Sequence, residues 1–77
     1  MELDGKRLEN QIREWRWLAR RGRLMARREI LRAEAWEAAG NPTQGKWCRM
    51  TAANAEAAAA RYDHLADQYA LARQGRL

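Results

Sequence analysis

Apolar and small residues recur along the first half of the chain in alternating steps of four and three. Leu8, Ile12, Trp15, Ala19, Gly22, Ala26, Glu29, Ala33 and Trp36 follow this rhythm, which is that of a heptad stripe on a helix. The second half repeats it with Cys48, Ala52, Ala55, Ala59, Tyr62, Ala66 and Tyr69. Between the two stripes lies the single turn-like cluster, Gly40-Asn41-Pro42-Thr43-Gln44-Gly45. Gly40 suits the left-handed position after a helix. Asn41 suits the N-cap of the next one, with Pro42 at its first position and Gln44 completing a capping-box variant. Stop and start signals overlap within about two residues, as in a tight αα-hairpin.

The pattern predicts an all-α chain built as one long antiparallel two-helix hairpin, a single domain over residues 1–77. Helix one runs over about 5–39, the turn over 40–41 and helix two over about 42–74. Asp4 is the candidate N-cap of the first helix and Gly75 the candidate residue closing the second. Gly22 interrupts helix one at a cost of about 1 kcal/mol relative to Ala, and a chain broken into three helices at Arg21-Gly22-Arg23 is the alternative. Register favours the hairpin. Turning at 40–41 pairs positions whose numbers add to roughly 81, so that Trp15 faces Ala66, Ala19 faces Tyr62, Gly22 faces Ala59, Ala26 faces Ala55 and Ile12 faces Tyr69. Large meets small at several levels. Trp36 and Trp47 flank the turn and are expected to staple the closed end, the alternative being an exposed aromatic tip that inserts into a partner.

Composition agrees with helix. Ala supplies 16 of 77 residues and Leu 8, with no Phe and one Pro. No run of β-branched or aromatic residues marks a strand. A chain this short makes a thin core of two helices, and further support would come from a second copy, making a four-helix bundle, or from a partner.

Charge changes the picture more. Fifteen Lys and Arg stand against ten Asp and Glu, a net +5, and thirteen of the cations are Arg. The excess is local: residues 6–32 carry ten cations and three acids, whereas residues 33–77 carry five of each. At 100° per residue, Arg13, Arg16, Arg20, Arg23 and Arg27 form one stripe on helix one, and Arg21, Arg28 and Arg32 form another roughly 120° round. Between them stand Trp17, Leu24 and Leu31 at heptad spacing. An apolar ridge pointing away from the seam calls for an occupant: a second copy, a different protein or a third packed element. Trp and Arg are the residue types enriched at binding hot spots. Arg richness is also what a GC-rich genome produces. Glu9 and Arg13, at i,i+4, are expected to pair along the helix.

Candidate chemistry is sparse. Cys48, the one cysteine, forms no intramolecular disulfide, and a reducing, cytoplasmic setting is the plain reading. His64 lies about 24 Å along the same helix from Cys48, too far to serve it as a base. Asp63 and Asp67 beside His64 make at best a weak metal site. There is no phosphate loop, zinc spacing or catalytic triad, so neither enzyme, cofactor nor metal is expected. No signal peptide and no membrane span are expected either.

What remains is a non-enzymatic basic module that docks on an acidic surface of a larger assembly. Its expected site is Trp17, Leu24 and Leu31 with Arg13, Arg16, Arg20, Arg23, Arg27, Arg21 and Arg28. Small helical proteins of this class include phage and mobile-element inhibitors such as anti-CRISPR proteins, an association that no motif here carries. The alternative is sequence-independent nucleic-acid binding through the Arg-rich face of helix one. The tight turn and long helices do not suit a helix-turn-helix. Docking on a membrane surface is a third, weaker fit, because the most apolar face is matched to helix two.

Overall fold

The computed structural model describes residues 5–75. They form two helices, α1 (Gly5–Ala38) and α2 (Pro42–Arg73), packed antiparallel along their length into a rod of 59 × 17 × 15 Å. Asp4, the expected N-cap of α1, lies outside the described residues. Helix α1 runs through Gly22 without a break, which sets aside the three-helix alternative.

The turn is built by two caps that share residues. Gly40 takes φ +82°, the left-handed conformation that costs glycine little. Its N–H donates to the Glu37 carbonyl, and the Asn41 N–H donates to the Trp36 carbonyl. These two bonds are a Schellman motif and satisfy carbonyls that the end of α1 would leave orphaned. The Asn41 side chain then accepts from the Gln44 N–H at 3.3 Å and caps α2. Only half of the expected capping box forms, because the Asn41 N–H is already held by Trp36. Each helix ends one residue earlier than the sequence suggests, since the residue before each left-handed glycine (Gly40, and Gly75 at φ +73°) is a cap rather than a helical residue.

The seam follows the expected heptads. Ala19, Ala26 and Ala33 from α1 and Ala52, Ala59 and Ala66 from α2 are buried, with Ile12 and Cys48 beside them. The register holds at Gly22, where a Cβ would sit 3.3 Å from the Ala59 Cβ and 3.2 Å from the Ala55 carbonyl oxygen. Small residues here let the two backbones approach closely. Towards the open end the space is filled by rings: Trp15 stacks on Tyr62 at 5.5 Å and meets Tyr69 edge-on at 6.5 Å. The Trp15 Nε1 is buried there without a hydrogen-bond partner.

The closed end departs from expectation. Trp36 is 38% and Trp47 59% exposed, and no ring contact joins them. The clasp is polar instead. Glu37 accepts two bonds from Arg49, at 2.8 and 2.7 Å. It can do so because Gly45 is buried beneath it, with room for no side chain: a Cβ there would lie 2.6 Å from the Glu37 Cγ. The arginine's bidentate hydrogen bonds, more than its charge, hold the Glu37 carboxyl below the usual carboxylate range.

Candidate interaction face

The two edges of the hairpin differ in chemistry. On one edge, Asp63 is bound by Arg23 and lies 3.8 Å from Arg16, while Asp67 accepts from Arg16 at 3.2 Å. Glu37 and Arg49 continue this polar edge to the turn. Near the open end Glu9 lies 3.7 Å from Arg73 of α2, replacing the expected pairing with Arg13. The hairpin offers Glu9 a cation across the seam, where an isolated helix would offer only its own.

These pairs redistribute the basic stripes. Arg16 and Arg23 reach across to α2, where Asp63 and Asp67 meet their charges, so they are neutralised rather than free cations even where Arg23 borders the outward face. Arg32 is bonded to Glu29 at 3.1 Å. Arg13, Arg20, Arg27 and Arg28 are exposed and meet no carboxylate among the described residues. Arg21 places its guanidinium 5.4 Å from the centre of the Trp17 ring, a cation–π contact of roughly 0.5–1 kcal/mol at an exposed site. It covers Trp17 only in part.

Trp17, Leu24 and Leu31 are 49%, 49% and 66% exposed. They stand in a row on the side of α1 turned from α2, because seven residues nearly complete two turns. Shallow concavities lie between them and the arginines, one lined by Trp17, Arg20, Arg21 and Leu24 and another by Arg20, Arg23, Leu24 and Arg27. The face is therefore a narrow apolar ridge with guanidinium groups on both sides. It suits a surface that offers apolar contact bordered by anions.

The remaining chemistry-bearing residues do not converge on it. Cys48 is buried in the seam, and desolvation followed by the nearby Glu29 carboxylate pushes its thiol above the ordinary value. A thiol held protonated is a poor nucleophile. His64 is exposed and lines a shallow groove with Ala60, Arg61 and Leu65. Asp63 and Asp67 are engaged by arginine, and among the described residues no three His, Cys, Asp or Glu side chains gather as metal ligands would. No helix of the described residues is long and apolar enough to cross a membrane.

The architecture places the chain among all-α helical hairpins. Comparison with protein-family models, curated proteins and solved structures finds no match. The physical chemistry of the outward face therefore carries the functional reading.

Proposed function

We propose that the protein is a non-enzymatic helical-hairpin module that docks on an acidic surface of a protein partner through the outward face of α1. One observation carries the reading: an exposed ridge of Trp17, Leu24 and Leu31 flanked by arginines that no carboxylate among the described residues neutralises. Trp17 and the leucines are the anchors, supplying apolar area. Arg13, Arg20, Arg27, Arg21 and Arg28 form the rim, steering the encounter and excluding like-charged competitors. A module of this kind works by occupying a surface, as an inhibitor or antagonist does. A second copy seated ridge to ridge fits this face poorly, because it would bring the same unpaired arginines against one another.

Nucleic acid is the second reading, and the same unpaired arginines favour it. The two readings differ in what the ridge does. Phosphate binding needs the cations, and its affinity falls steeply with salt. Protein docking needs the anchors as well. The deciding experiment is a fluorescence-anisotropy titration against random single- and double-stranded DNA and RNA, at low and near-physiological salt, alongside affinity capture with wild type and variants. For the protein reading, nucleic acid binds feebly or not at all. A captured partner is then lost with the Trp17→Ala, Leu24→Ala pair and weakened by Arg20→Ala, Arg27→Ala. Submicromolar, salt-sensitive nucleic-acid binding that survives loss of Trp17 and Leu24 replaces it with the second reading.

A further inference from the structure

The edge opposite the ion pairs is apolar and open. Leu18, Gly22, Met25, Ala55, Ala58 and Tyr62 line a groove between the two helices there. The strip extends beyond it. Trp36 is eighteen residues from Leu18, five full turns, and so shares its face. On α2, Trp47 and Leu65 fall within about 20° of Ala58. Met25 is 47% exposed, and Trp36 and Trp47 are the two rings left uncovered at the turn.

This strip differs from the ridge in charge. Arg21 lines the groove, but its guanidinium lies over Trp17 on the outward face. Glu29 and Arg32, between Met25 and Trp36, neutralise each other. The edge therefore presents apolar surface with little net charge, which a like surface can cover without repulsion.

The area points the same way. A folded monomer of 9.0 kDa ordinarily exposes roughly 4,850 Å². This chain exposes 5986 Å², an excess of about 1,100 Å², whereas each partner in a standard interface buries about 800 Å². The excess follows from the shape: two helices make a rod, and among the described residues the buried seam holds six alanines, Ile12 and Cys48, with no large side chain fully enclosed. We infer that a second copy of this chain covers the Leu18–Met25–Ala58 edge, closing a four-helix bundle and leaving the ridge of Trp17, Leu24 and Leu31 outside. A two-fold contact centred near Met25 and Glu29 would set Leu18 of one copy beside Trp36 of the other, and it is self-complementary as a two-fold interface must be.

The test is light scattering on the eluting protein and thermal melting, from about 1 to about 100 µM. The expected result is a mass twice 9.0 kDa at the upper concentrations and a melting temperature that rises with concentration. Met25→Glu and, independently, Ala58→Glu are expected to abolish both, while Trp17→Ala with Leu24→Ala leaves both intact. A single-chain mass throughout, with a melting temperature independent of concentration, overturns the inference. So does a dimer that both glutamate variants retain, or one that is lost only with Trp17 and Leu24. The ridge variants separate this result from the docking reading, which concerns the other face.

Discussion

The seam face and the outward face of α1 use the same residue types to opposite ends. On the seam side Trp15 is half-buried between Tyr62 and Tyr69, and Arg16 and Arg23 are held by Asp63 and Asp67. Only two positions away, Trp17 stands half out of the fold with Arg21 beside it, and Arg13, Arg20 and Arg27 have no anionic partner among the described residues. A step of two residues turns a helix by about 200°. That rotation alone separates a tryptophan that stabilises the hairpin from one available to a partner. Residue type does not reveal which role applies; position relative to the second helix does.

The largest expected effect breaks the comparison at the tryptophans. Trp15→Ala removes a stacked ring and leaves Tyr62 and Tyr69 unsupported, at about 3 kcal/mol, the lower end for such truncations because Trp15 is only half-buried. Trp17→Ala removes only the Arg21 contact and alters stability by no more than about 1 kcal/mol. Thermal unfolding followed by circular dichroism measures both, and equal losses would mean that the two faces are not distinct.

Next is the backbone approach at the middle of the seam. Gly22→Leu forces a side chain against Ala55 and Ala59 and destabilises by about 1–3 kcal/mol. Gly22→Ala is close to neutral, because a gain of about 1 kcal/mol in helix propensity offsets a Cβ packed 3.2 Å from the Ala55 oxygen. A leucine variant that melts with wild type would refute this register.

Smaller effects belong to the charges. Asp63→Asn frees Arg23, leaves Arg16 with Asp67 alone, and costs about 0.5–1 kcal/mol, since the pairs are partly exposed and screened. Arg20→Ala leaves denaturant midpoints unchanged and shows itself only in binding. The Glu37–Arg49 clasp gives the smallest signal, a pH dependence. A carboxyl whose folded pKa is lowered contributes stability that is present above its unfolded value and lost as pH falls through the folded one. Acid titration of the melting temperature should therefore show a small drop below the ordinary carboxylate range, and Arg49→Ala should flatten it. Cys48 sharpens the same contrast chemically: alkylation at neutral pH should be slow in the folded chain and fast in denaturant.

Much of the fold was legible because heptad stripes and a single turn leave few arrangements open. Gly40, Asn41 and Pro42 each meet a local backbone requirement, and local requirements are what sequence states directly. The clasp at the closed end was not legible. Trp36 and Trp47 advertise burial by type, yet Glu37, Gly45 and Arg49 do the fastening. Nothing in one dimension tells that Gly45 clears space for a carboxylate twelve residues from its arginine. The basic stripes were legible as angles on α1, but not as free or paired charges, because Asp63 and Asp67 arrive from the other helix.

By itself, the sequence determined helix, turn and register, since helix propensity, caps and the period of small residues act over a few residues at a time. Tertiary structure alone decided which arginines keep their charge exposed, which tryptophans are covered and which edge stays apolar. Those outcomes depend on what a second helix brings within a few ångströms, and electrostatic pairing and burial are properties of that distance rather than of either strip of sequence.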